Sequence, residues 1–322
     1  MRRREFIAAL GGAAAWPLSA RAQQRALPVV AYLIPGEGGV TGVSPDFRNG
    51  LSEMGYVDGR NVAIEIHLRS TDQSGLPALA TELVRRQVAV IFAGPPVNGA
   101  LAAKAATATI PIVFNIGQDP VRLGLVASMN HPGGNITGVS TLVTALLGKR
   151  LEMLRELVPQ ATTIGYLTNP TNSGSAESVL ELQAAARSVG QQITVLKYST
   201  AAEIDAAFVT AAEQGVGALL VDGTGLGRDQ IIALAARYRF PASYNNTVWV
   251  QAGGLMTYVN DRAETFRQSG VYVGRILRGE KPGDLPVVQP TRFKLVVNLK
   301  TAKALGLTIP ETLLATADEV IQ

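Results

Sequence analysis

The sequence contains no cysteine. That excludes disulfides, thiolate metal sites, cysteine nucleophiles and a lipid-modified N-terminal cysteine. Histidine is nearly absent too, with only His67 and His131 in 322 residues. A histidine-rich metal centre is therefore not expected, and neither is any cofactor. Charged residues make up 17% of the chain, below the usual ~25%, which excludes a coiled coil or a mainly disordered chain. No apolar run reaches the ~18 residues of a membrane span. Enzyme signatures are also missing. There is no Walker lysine motif and no G-x-S-x-G elbow. Gly223-Thr-Gly225-Leu-Gly227 lacks the G-x-G-x-x-G spacing of a dinucleotide loop. An enzyme is not expected. What the chain does have is 47% hydrophobic residues and the length for about two domains at roughly 150 residues each.

The first 22 residues read as an address rather than as part of the fold. Arg2-Arg3-Arg4 precedes an apolar stretch from Ile7 to Leu18, and Ala20-Arg21-Ala22 places small residues where a signal peptidase reads them. Arg3-Arg4-Glu5-Phe6-Ile7 has the twin-arginine pattern. An ordinary Sec signal with an extra arginine is the other reading. Cleavage is expected after Ala22, with release into a periplasm. Removing that segment's net charge of +3 from the chain's +4 leaves +1. A near-neutral protein is not expected to bind nucleic acid, whose phosphates require a basic surface.

From residue 28 the pattern is strand, loop, helix, repeated. Continuous apolar runs such as Pro28–Ile34 and Val88–Ala93 read as buried parallel strands. Ser44-Pro45-Asp46 starts a helix. Gln73–Gln87, Val97–Ala108 and a short Val121–Met129 follow as further helices. The cycle restarts after about residue 141. Leu147–Val158 is predicted as an amphipathic helix carrying Lys149, Arg150, Glu152, Arg155 and Glu156. Gly254–Val259 is predicted as a strand, Asp261–Arg278 as a long helix, Arg292–Asn298 as a final strand and Leu299–Leu305 as the last helix. Two α/β series imply two doubly wound, parallel-sheet lobes.

In such sheets ligands bind beyond the carboxyl ends of the strands. Six loops qualify here: Pro35–Gly42, Gly94–Asn98, Gly117–Pro120, Asn169–Ser175, Asp222–Gly227 and Asn245–Gln251. Their Gly, Asn, Ser, Thr and Asp residues expose N–H groups and neutral hydrogen-bonding side chains, which suit a carboxylate. The same residues also form turns, whether or not a ligand is present. Ser175, Gly223 and Asn245 lie in these loops. The Asp222 carboxylate can receive an ammonium or cap a helix. Tyr244 and Trp249 can stack on a ligand or pack a lobe.

Asn115-Ile-Gly-Gln-Asp119-Pro120-Val-Arg-Leu-Gly124, followed by His131-Pro-Gly-Gly-Asn135-Ile-Thr137-Gly138-Val-Ser140, resembles the corresponding block of ABC-transporter substrate-binding proteins of the tryptophan/tyrosine-binding type. Gly55–Glu65, Lys149–Pro159 and Asn298–Gly306 extend the resemblance over nearly the whole mature chain. It implies the type I periplasmic binding fold, two lobes joined by three crossovers. Residues 27–140 plus 255–282 would form the N-terminal lobe, and 141–254 plus 283–322 the C-terminal lobe. The long helix from Asp261 would return to the first lobe. The resemblance places ligand contacts at Gly94, Pro95, Asn98, Asp119, Asn169 and Asp222. It implies a monomer that holds a small amino acid or an aromatic or carboxylate solute by hinge closure and docks on an ABC permease in the inner membrane. The ligand carboxylate would meet the backbone at Gly94–Asn98, with Asp222 and Asn245 at its polar end and Tyr244 or Trp249 stacking. A periplasmic sensor module that presents solute to a signalling receptor would share this fold.

Overall fold

The computed structural model describes residues 27–35, 42–69, 75–141, 145–172, 174–223 and 226–322. The expected address segment lies outside them, as do most of Pro35–Gly42, one residue of Asn169–Ser175 and two of Asp222–Gly227.

The first lobe is built from β1 (Val29–Pro35), α1 (Pro45–Glu53), β2 (Ala63–Arg69), α2 (Leu76–Arg85), β3 (Val90–Ala93), α3 (Asn98–Ala106), β4 (Ile112–Ile116) and β5 (Ile136–Ser140). Its strands are parallel in the order β2-β1-β3-β4-β5. The second lobe starts with α4 (Ala145–Leu157), β6 (Thr163–Thr168), α5 (Ser175–Ser188), β7 (Gln192–Lys197) and α6 (Ala201–Glu213). It continues with β8 (Ala218–Asp222), α7 (Arg228–Arg237), β9 (Ala242–Tyr244), α8 (Thr247–Gln251) and β10 (Met256–Asn260). The parallel order β7-β6-β8-β9-β10 repeats that of the first lobe strand for strand. The inner strands are mostly apolar because helices cover both faces of each sheet. All five residues of β4 and of β5 are buried.

The chain then returns. α9 (Arg262–Leu277) lies on the first lobe, as expected, packed against α1. Glycines permit that packing: a Cβ on Gly50 would sit 1.9 Å from the Arg267 carbonyl oxygen, and one on Gly270 2.1 Å from that of Phe47. The two backbones are in contact where the helices cross. Beneath them Tyr32, Phe47 and Phe92 form a ring cluster with centroids 4.7–5.0 Å apart. The last elements are β11 (Phe293–Asn298), α10 (Leu299–Leu305), α11 (Glu311–Thr316) and β12 (Glu319–Ile321).

Several expectations are corrected. Residues 255–260, assigned to the first lobe, belong to the second, because β10 pairs with β9 and β11. Residues 283–288, assigned to the second lobe, pack on the first. Val288 N donates to Gly138 O at 2.9 Å, Ser140 N donates to Val288 O at 2.9 Å, and Leu285 and Val287 are buried in first-lobe clusters. The second sheet is not wholly parallel. β11 enters it from the crossover end, where the other strands finish, and so runs against β10, with β12 alongside it. Val121–Met129 is a turn rather than a helix. Leu125 N and Val126 N both bond to Pro120 O, and Gly124 takes φ +66°. α8, α11 and β12 were not anticipated. Ser44 stands at the N-cap of α1, but its hydroxyl does not cap; its N–H donates to the Tyr32 hydroxyl at 3.2 Å.

Two neighbouring residues tie the three crossovers together. Asn260 Nδ2 donates to Thr141 O at 2.8 Å, joining the second crossing to the first. Asp261 N donates to Arg292 O at 3.0 Å, and the Asp261 carboxylate pairs with Lys294 at 3.2 Å, joining the second to the third. Asp261 also caps α9 through Ala263 N at 3.1 Å.

Candidate ligand site between the lobes

In each lobe the strand order reverses between two central strands: β1 and β3 in the first, β6 and β8 in the second. Helices leave on opposite sides there, and a crevice opens beyond the strand ends. In the second lobe the last register pair at this point is Thr168 with Asp222. The period-2 alternation of β6 puts Tyr166 on the same face as Thr168. Both donate to Asp222 Oδ2, at 3.2 and 3.5 Å, while Asn245 Nδ2 donates to Oδ1 at 2.9 Å. The carboxylate fixes the orientation of the Asn245 amide, so Asn245 Oδ1 is left as an acceptor, buried and with no protein partner. Ser175 lies one step behind, with its hydroxyl 2.9 Å from that of Thr168. Burial and the Asp222 charge push the Tyr166 hydroxyl well above the usual phenol range, so it is a persistent donor to the carboxylate.

Behind this cluster stands Arg150, 3% exposed. It reaches from α4 to donate to Val221 O at 2.9 Å, Ser243 O at 2.6 Å and Ser243 Oγ at 3.2 Å. Burial lowers its pKa to about 10, with Asp222 opposing the shift. Sequence reading gave Arg150 only as one of the charges of an amphipathic helix. Its spacing, three residues after Leu147 and four before Leu154, puts it on the buried stripe of the helix and was the available signal. Tyr166 and Thr168 were missed as well, and strand alternation was their signal.

The remaining candidates separate into three roles. Asp119 and Asn169 close turns. Asp119 Oδ1 accepts from Val121 N at 2.8 Å and Arg122 N at 3.3 Å. Asn169 Oδ1 accepts from Thr171 N at 2.9 Å and Thr171 Oγ1 at 2.8 Å. Gly223, Tyr244 and Trp249 form packing. The Tyr244 and Trp249 rings stack on each other, centroids 5.3 Å apart and both buried, and a Cβ on Gly223 would meet the indole at 2.1 Å. Burial alone raises the Tyr244 hydroxyl pKa. In the first lobe the Gly94 N–H is already used, donating to Leu33 O at 2.9 Å. Pro95 and Pro96 have no N–H. Val97 and Asn98 follow at the start of α3.

The lobes also meet outside this cluster. Arg122 pairs with Glu177 at 2.6 Å and Glu181 at 3.6 Å, both on α5. The Gln118 side chain crosses to Gly174, where a Cβ would lie 2.7 Å from its Nε2. Gln118 was not anticipated. Its main-chain carbonyl is held by Ser140 Oγ at 2.9 Å, and its Oε1 is buried with no protein partner. Among the described residues no group of three His, Cys, Asp or Glu side chains converges as a metal site.

The family model for ABC transporter substrate binding proteins matches residues 35–321. The tyrosine-binding protein of Clostridioides difficile is 27% identical over 81% of this chain and 75% of its own. Among solved structures, an ABC domain from Streptococcus pneumoniae in complex with L-Trp is 26% identical. It covers 92% of this chain and all of its own, with a TM-score of 0.80. A conserved domain protein from Vibrio cholerae is 28% identical, covers 91% of this chain and 99% of its own, and has a TM-score of 0.81. The two-lobed fold implied by the resemblance is the one observed.

Proposed function

The chain belongs to the ABC transporter substrate-binding protein family, and from that premise we propose that it is the exported solute receptor of an importer, closing its lobes on an amino acid with an aromatic side chain. The reading rests on one observation. Asp222 stands at the strand-order reversal of the second lobe, held by three donors with an unpartnered amide acceptor beside it. An ammonium group satisfies both acceptors at once. The dipole at the start of α3 favours the carboxylate of the same ligand. A solute in contact with both lobes favours the closed form over the open one and so shifts their equilibrium. That relatives in two organisms carry tryptophan or tyrosine in their names or ligands supports an aromatic amino acid. Cleavage after Ala22, a periplasmic location, a monomeric state and docking on an inner-membrane permease belong to the same proposal. Among the described residues no helix is long and apolar enough to cross a membrane.

The test is thermal unfolding of residues 23–322, refolded once to remove carried-over solute, with each of the twenty amino acids in turn. A ligand at about 100 times its Kd adds about 2.7 kcal/mol, a rise of a few degrees at this size. Tryptophan, tyrosine or phenylalanine is expected to give that rise, and Asp222→Asn to reduce it. A panel in which none of the three shifts the transition would sink the proposal.

A further inference from the structure

We infer that Arg150 determines specificity in the interlobe site: with Asp222 it makes the second-lobe floor electrically neutral, so that the site selects a zwitterion over the corresponding amine or acid. The inference rests on the functional reading above and deepens it.

Arg150 is a buried cation whose hydrogen-bond partners are neutral oxygens, two main-chain carbonyls and one hydroxyl. A buried guanidinium without a carboxylate partner is costly. One of its carbonyls belongs to Val221, the residue before Asp222, so the Asp222 charge lies close by and offsets the cost. The guanidinium approaches from α4, behind the strand ends, and its donors are turned to Val221 and Ser243 at the tips of β8 and β9. A ligand ammonium received by Asp222 would therefore feel an attractive charge in contact and a repulsive one just behind it. At an effective dielectric near 20, even a charge about 10 Å away alters a cation's affinity by about tenfold or more. A bare amine would enter with a net charge that nothing in this floor compensates. A zwitterion brings its own carboxylate. Were Arg150 only a clamp holding two strand tips, its charge would not affect which ligand is preferred.

The test measures calorimetric affinities for three indoles: L-tryptophan, tryptamine, which lacks the carboxylate, and indole-3-propionate, which lacks the ammonium. The wild type is expected to bind tryptophan tightest. Arg150→Met is expected to narrow the tryptophan-to-tryptamine ratio about tenfold. Arg150→Lys keeps the charge but loses the fork, and is expected to keep the ratio even where all affinities fall. Asp222→Asn, isosteric and half-buried, probes the couple from the other side without depending on Arg150→Met folding. It is expected to narrow the tryptophan-to-indole-3-propionate ratio. Equal losses for all three indoles in Arg150→Met, or in Asp222→Asn where Arg150→Met does not fold, would overturn the inference. If no indole binds to the wild type, tryptophan is not the ligand, and the functional reading stands or falls on the tyrosine and phenylalanine arms of its own test. The charge couple is then judged by urea unfolding of the two single variants and the double variant. Additive effects would overturn the couple, and a double variant more stable than the sum of the single losses would uphold it.

Discussion

The two lobes share a strand order but not a chemistry. At the reversal point of the first, the last register pair of β1 and β3 is Leu33 with Ala93, and β3 is followed by Gly94, Pro95 and Pro96, a backbone edge with few side chains to offer. At the equivalent point of the second, Thr168, Asp222, Tyr166 and Asn245 form one polar network, with buried Arg150 behind it on the Val221 carbonyl. Topology places a crevice in both lobes, but it does not decide what lines either one. The lobes also carry their costs differently. The first invests in close packing, with two helix backbones touching through Gly50 and Gly270 and an aromatic cluster below. The second buries charge. A lobe whose described residues bury no charge suits a rigid base. A lobe with a satisfied polar network at its strand ends suits recognition, because such networks fix side-chain directions.

The largest effect that would sharpen this comparison is in the packed lobe. Gly270→Ala drives a methyl group into the Phe47 carbonyl and is expected to cost about 3 kcal/mol by forcing α1 and α9 apart. Urea unfolding followed by a first-lobe fluorophore should show the loss, while α4–β8 of the second lobe keeps its amide protection at moderate denaturant. A uniform loss of protection in both lobes would break the claimed independence. The interlobe contact should respond next. Arg122→Glu faces Glu177 and Glu181 with a like charge and is expected to open the ligand-free protein, raising its radius of gyration in solution scattering and weakening ligand binding two- to fivefold, the scale of an exposed pair. Adding Glu177→Arg should restore compaction. An unchanged scattering curve for the single variant would show that this contact does not hold the lobes together. The smallest effect is electrostatic. The Arg267 hydrogen bond holds the Glu264 carboxyl down at about 2, from the usual 4.5. A depressed carboxyl contributes stability above its unfolded pKa and loses it as pH falls through the folded value. Wild type should therefore exceed Glu264→Gln by less than about 1 kcal/mol at pH 7, and the gap should close between pH 4.5 and pH 2. A gap that persists at pH 2 would assign the difference to packing.

Much of the fold was legible because buried parallel strands must be apolar and their helices must be amphipathic. Val88–Ala93 and Asp261–Arg278 announce themselves in this way. The region around 121–129 misled because Leu123, Leu125 and Val126 have helical spacing, yet the Leu125 and Val126 N–H groups both turn back to the Pro120 carbonyl. Of the site, Asp222 and Asn245 were readable as polar residues at strand ends. Tyr244 and Trp249 were equally readable as ring faces for a ligand, and only their burial shows that they face each other. Arg150 was hidden by its own chemistry, since a charge on a helix ordinarily points to solvent.

By itself the sequence determined the alternation of strand and helix, the two series and the strand ends at which a ligand can be met, because these follow from local periodicity and from the turn residues that interrupt it. Only the tertiary structure decided that β10 closes the second lobe and that residues 283–288 edge the first. Only it decided that Arg150 and Asp222 share one floor and that Gln118 reaches Gly174. Each of these joins residues tens to over a hundred positions apart, and nothing in a local pattern records a contact that forms only when two distant surfaces are brought together by burial.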